Sequence, residues 1–245
     1  MAWKKQWQID IAKEQLDDEQ DILWYLEKNY KKALDNVNEK LKILNDKILN
    51  EGATSSILYQ QQYQKALKSQ IEAIYNDMYG TAYNGVSDYL KQSYEDGIVQ
   101  SMYSLHKQGL DITIPIDQNE IALMASKSAI NGFKLSQKLY GNTVQMAKYV
   151  RDEITRGLIS QLSYADIARN ISNRTSQELN RTMRIARTEG HKVKMQSKMQ
   201  AMSKAKDKGA DIVKQWDSTL DGRTRPHHRE LDGQVREIDG EFGVN

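Results

Sequence analysis

Only two prolines interrupt this chain, at Pro115 and Pro226. Proline removes an amide donor and clashes with the preceding helical turn, so its absence leaves the first hundred residues free to be helical throughout. Leu23, Leu26, Tyr30, Ala33, Val37, Leu41, Leu44 and Ile48 recur at steps of three and four. That spacing gathers apolar side chains on one face of a helix. It predicts a long amphipathic helix from about Asp17 to Asn50, ended by Asn50-Glu51-Gly52, with Thr54 or Ser55 capping the next.

The next segment places Tyr63, Leu67, Ile71, Ile74, Met78 and Ala82 on one side, then meets Gly80, Gly85 and Gly97, where kinks or breaks are expected. Eight tyrosines fall between Tyr59 and Tyr103. Tyrosine suits half-buried surfaces, which leaves open a protein interface or a helical core whose hydroxyls reach water. Leu110 to Ile116 alternates around Pro115 and reads as an extended connector or edge strand. Beyond it, helices are expected at about Gln118 to Tyr140, Thr143 to Leu162 and Ser163 to Asn173, punctuated by Gly141 and by a Ser163/Asp166 cap. The division that follows is a docking region of long helices over 1–109, a helical middle over 110–175, and a basic helix with a small module over 176–245.

Thr175 with Glu178 has the spacing of a capping box, and Gly209 suits a left-handed stop after Lys208. Between them Arg184, Arg187, His191, Lys194 and Lys198 lie along one face. From Arg181 to Lys214 ten Lys or Arg stand against three acids, a balance of +7, although the whole chain carries only +2. Such a face attracts phosphates or an acidic protein surface, or is simply solvated. Ile185, Met195, Met199 and Met202 form the apolar side, expected to be core.

After Gly209 the residues around Trp216 alternate as a short strand does, Asp221-Gly222 marks a turn, and Pro226 suits the first turn of a short helix. Asp232-Gly233 closes that helix, Val235 to Ile238 pairs back, and Asp239-Gly240 turns again. The fold class is therefore mainly α, an elongated helical bundle with a small α+β C-terminal module built on a short two-stranded hairpin.

Arg187-Thr188-Glu189 late in a helix, Trp216 in a strand, and then Asp221-Gly222-Arg223-Thr224-Arg225, His228 and Leu231-Asp232-Gly233 form an ordered combination. It resembles the tailed-phage head morphogenesis family, also called Mu protein F-like or minor head proteins. The likeness covers roughly the last 90 residues, extends weakly upstream to Gly157-Leu158 and to Ser163 through Ala168, and does not reach the first 150. It implies a low-copy virion protein inside the capsid near the portal, built into the procapsid with it, and in some phages ejected with the DNA. Portal protein, and scaffold or major capsid protein beside it, are the partners it implies. Many relatives add paired cysteines past the Phe242 region, whereas this chain has no cysteine, which puts in doubt any metal site those cysteines complete.

Absence of cysteine also excludes disulfides and thiol catalysis. No apolar run approaches the length of a membrane span. His227, His228, Glu230 and Asp232 invite a metal-nuclease or DNA-binding alternative, with His228 and Asp232 one helical turn apart. That alternative lacks further ligands downstream of His228, and glycine-rich phosphate loops, HExxH and nucleophile elbows are absent. The favoured expectation is a non-enzymatic protein without cofactor or metal, in which Asp221 and Asp232 accept hydrogen bonds from Arg223, Arg225 and turn amides as internal bracing. Glu189 is expected to be an ion-pair partner. Some relatives carry appended toxin domains, so a delivery scaffold is the third reading.

Overall fold

A computed structural model describes residues 5–51, 57–117, 119–121, 129–130, 133–160, 162–218 and 220–243, with the backbone path alone at 44–51, 57–65, 68, 129–130, 133–134, 136–138, 140–143, 158–159 and 164. Its elements are α1 (Gln6–Glu51), α2 (Ile57–His106), β1 (Ala129–Ile130), β2 (Phe133–Lys134), α3 (Leu135–Ile159), α4 (Tyr164–Asp207), β3 (Val213–Gln215), α5 (Pro226–Leu231) and β4 (Val235–Glu237). The fold is mainly helical with a short C-terminal antiparallel pair.

The apolar row at the N-terminus does what its spacing predicts. Leu23, Leu26, Tyr30, Ala33, Val37 and Leu41 are all buried, while the Leu44 and Ile48 side chains lie outside the described ones, as do Gly52, Thr54 and Ser55. The helix is longer than expected and begins at Gln6. Leu67, Ile71, Tyr75, Met78, Ala82, Val86, Leu90, Tyr94 and Ile98 form the matching row of α2, and one continuous core runs from Ile22 to Ala210.

Cross-contacts fix the directions. Asn29 pairs with the Met78 carbonyl and Gln15 with Gln100, so α1 and α2 are antiparallel. Tyr75 meets Thr175 and Tyr94 meets Gln200, so α2 and α4 run the same way. Along α3, Glu153 accepts from Asn170, which sets that helix beside the start of α4.

Four expectations need correction. The glycines of α2 do not break it: the helix runs 50 residues, about 75 Å at 1.5 Å per residue. Gly85 and Gly97 instead sit where a neighbour comes too close for a Cβ, against the Tyr25 ring and against Ser197. Within the stretch expected to be one helix over 118–140, residues 119–121 and 135–140 are helical, but between them Ala129 pairs antiparallel with Lys134 and Ile130 with Phe133. Gly141 lies inside α3, which starts at Leu135.

The last correction concerns Thr175 and Glu178, which do not start a helix. Ser163 is the N-cap, accepting from the Asp166 amide, and α4 runs unbroken from there to Gly209, whose φ of +90° ends it as expected. Thr175 donates to the Ile171 carbonyl and Glu178 pairs with Arg174 at 3.2 Å. A Thr-x-x-Glu spacing is equally compatible with a helix interior, where both side chains find partners within the turn.

The hydroxyls of three buried tyrosines meet side chains of α4. Tyr30 meets Thr182 at 2.7 Å, Tyr75 meets Thr175 at 3.4 Å, and Tyr94 donates to Gln200 at 2.5 Å. The connector at 110–117 is neither helix nor strand and seats Ile114 in the core.

Candidate functional site

The motif-bearing helix α4 carries an unusual inward face. Ile171, Thr175, Glu178, Thr182, Ala186, Glu189, Val193, Ser197, Ala201 and Ala205 are all buried. Small and polar residues dominate, so the neighbouring helices pack tightly and bond across. Gly190 sits against the Tyr89 ring and Gly97 against Ser197, whose hydroxyl donates to the Lys194 carbonyl. Glu189 of the Arg187-Thr188-Glu189 motif is fully buried within this face.

The buried positions step by four more often than by three. With about 3.6 residues per turn, the inward face therefore creeps round the helix toward its C-terminus. By Lys194 it has reached the basic row, which divides the five basic residues read from sequence. Arg184 and His191 are exposed. Arg187 remains exposed but donates from Nε to Glu19 at 2.8 Å. Lys194 is only 9% exposed and lies between Asp18 at 3.5 Å and Asp96 at 3.6 Å. Lys198 is half-buried, and burial together with the Lys194 charge pushes its amine down to about 8 against the pull of Asp96. Burial raises the Asp96 carboxyl, opposed by its bond from Gln92 and by the Lys194 charge.

The apolar side also divides. Ile185 and Met202 pack on the core, whereas Met195 is 44% exposed and Met199 lines an open groove. The row of small residues from Ala186 to Ala205 was the signal for the true inward face, because small side chains at steps of three and four permit close helix packing.

In the C-terminal module the hairpin is as expected, with Val213 opposite Glu237 and Gln215 opposite Val235. Trp216 continues it, exchanging backbone bonds with Gln234 and Gly233, and Gly233 takes φ +78° to do so. The indole donates to Ser218 at 2.9 Å and presents edge contacts to His228 and Phe242, with ring centroids 5.7 and 5.4 Å apart. Ser218 ties the pieces together: its hydroxyl donates to the His228 carbonyl and its amide to Asp232 Oδ1. Leu231 and Ile238 are the module's buried apolar side chains.

Asp221 caps its own turn. Its Oδ1 accepts from the Arg223 amide at 2.8 Å and from the Thr224 hydroxyl at 3.1 Å, which holds the carboxyl below its usual range. Arg223 thus contributes its backbone, Arg225 supplies the extended residue before Pro226, and the guanidinium that reaches this turn is Arg229, bonded to the Asp221 carbonyl. Lys206 binds Glu237 at 2.9 Å and fastens the module to α4. His228 is stacked edgewise on Trp216 and Asp232 is engaged by Ser218, so the His227, His228 and Asp232 cluster does not converge. Among the described residues no three His, Asp or Glu side chains come together to hold a metal.

A helical bundle whose last helix carries a buried polar face and a braced α+β module is the class defined by these contacts. Residues 148–245 match the family of phage Mu protein F like proteins, and this part of the chain is a Mu F-like domain. Over all 245 residues the chain is 26% identical to the NAD(+)--arginine ADP-ribosyltransferase EFV of Enterococcus faecalis, covering 50% of that protein. Over 165 residues, 67% of this chain, it is 27% identical to minor head protein GP7 of Bacillus phage SPP1, covering 53% of it. The chain thus spans about half the length of these curated relatives. No solved structure matches.

Proposed function

We propose that this chain is a minor head protein of a tailed phage, acting without catalysis in procapsid assembly at the portal, inside the capsid. The observation that carries this reading is the use of the Mu F-like motif as bracing. Glu189 is spent inside the bundle, Asp221 and Asp232 on turn amides, and Trp216 on joining strand, helix and tail. Side chains committed in this way hold a shape, as a docking unit requires. The long helices α1 and α2 supply the surface that meets portal or scaffold, and the exposed Arg184 and His191 face DNA or an acidic capsid surface. Procapsids assembled with tagged chain test this: the portal protein co-purifies with it, and absence of the chain from procapsids contradicts the reading.

The likeness of all 245 residues to half of a protein named as an ADP-ribosyltransferase favours a second reading. Every residue of this chain that aligns with the minor head protein also aligns with that transferase. A segment common to both suits a function that the two share. Release of nicotinamide from NAD by the purified chain, or arginine modification, would move the enzyme reading ahead. Nicking of plasmid with Mg²⁺ or Mn²⁺ would do the same for a nuclease.

A further inference from the structure

The exposed side of α4 opens into a groove of about 780 Å³, at the upper end of the roughly 300–1,000 Å³ typical of binding clefts. Thr188, His191, Met195, Gln196 and Met199 line it at helical spacing, and Tyr94 and Glu120 face them. We propose that this groove is a docking site for an acidic amphipathic helix of another protein.

Two independent features point to that occupant. The first is apolar: Met195 is left 44% exposed and Met199 shares the groove with it, whereas Ile185, Val193 and Met202 of the same helix pack on the core. Flexible thioethers adapt to an incoming apolar row, the usual anchor of a helix in a groove. The second is charge. Between Glu178 and Asp207 the only acid on α4 is Glu189, which is fully buried. Arg181, Arg184 and His191 stand exposed along the same side, and Lys192 lines the groove. Glu120 does not reverse the sign, because Lys204 pairs with it at 3.2 Å and the Gln200 amide donates to it. A helix with leucines on one face and glutamates beside them satisfies both features. A nucleic-acid backbone satisfies the charge alone and leaves the methionines uncovered.

The test measures fluorescence anisotropy of a labelled peptide of roughly 18 residues, long enough to form a helix when bound, with Leu at i, i+3, i+4 and i+7 and Glu and Ala elsewhere. Added to the full chain, it binds saturably. Met195→Glu weakens it about tenfold, the scale of a groove anchor, and Gln196→Glu weakens it by charge alone. Leu16→Glu, at an exposed apolar site on α1, leaves binding unchanged. Thermal unfolding within a few degrees of wild type shows that each variant is folded. The proposal is overturned by absence of saturable binding, by equal loss in Leu16→Glu, or by equal affinity for a peptide with Lys in place of Glu. Binding of a duplex DNA probe that is lost in Met195→Glu would assign the groove to nucleic acid instead.

Discussion

The hydroxyls of Tyr30 and Thr182 meet at 2.7 Å in the interior, joining α1 to the middle of α4 across 152 positions of sequence. Thr182 is fully buried and Tyr30 is 5% exposed. Tyr30→Phe strands the threonine hydroxyl away from water and costs about 1–2 kcal/mol. Thr182→Val costs a similar amount, and the double variant less than the sum, since both remove one bond. Urea unfolding at neutral pH measures all three.

Burial pushes the Tyr75 phenol up to about 12 and raises Tyr30 as well. The folded chain then keeps a proton that the unfolded chain, with phenols near 10, has released. Stability is therefore unaffected by these groups below about pH 10 and falls as pH rises from there toward 12. Tyr75→Phe flattens part of that fall, which urea midpoints between pH 9 and pH 11 measure.

Lys198 shifts the other way. A lysine held down to about 8 in the fold, against about 10.4 when free, releases its proton more readily folded than unfolded. Stability is then lost as pH falls from about 10.4 through 8. Lys198→Met raises the thermal midpoint at pH 7, and the advantage shrinks at pH 10. Replacing Lys194, which lies between Asp18 and Asp96, acts the other way on stability: Lys194→Met removes the ammonium 3.6 Å from Asp96 and lowers the midpoint at pH 7.

Gly97 and Gly80 lie in the same helix and answer alanine differently. At Gly80 an added Cβ would meet nothing within 4 Å, so Gly80→Ala gains helix propensity of about 0.5–1 kcal/mol. At Gly97 the added carbon meets Ser197 and stands 2.7 Å from the Lys194 carbonyl oxygen. Gly97→Ala therefore destabilises in spite of propensity. Equal stabilisation at both sites in urea unfolding would contradict the close approach of α2 to α4.

The helical class and the hairpin are legible in the sequence because each follows from local chemistry: the row from Leu23 to Leu41, the turn at Asp221-Gly222, Pro226 at a first helical position, Gly209 and Gly233 where the backbone turns left-handed. What is not legible depends on neighbours. Gly85 and Gly97 read as breaks until Tyr25 and Ser197 are seen against them. Thr175 and Glu178 read as a cap until the helix is seen to continue. Lys194 faces inward and Met195 outward because the packing face drifts around α4, which no single periodic window reveals. Residues 129–130 pair with 133–134 inside a stretch whose composition suits a helix.

Incorporation of module variants into procapsids is the most direct test of bracing for docking. Asp232→Ala removes the acceptor of the Ser218 amide and loosens the module, while the bundle core from Ile22 to Ala210 is untouched. The expected result is that wild-type chain is found in purified procapsids, whereas Asp232→Ala keeps the helical circular dichroism of the wild type and is depleted from them. Equal incorporation of the variant, or absence of the wild-type chain from procapsids, would contradict it.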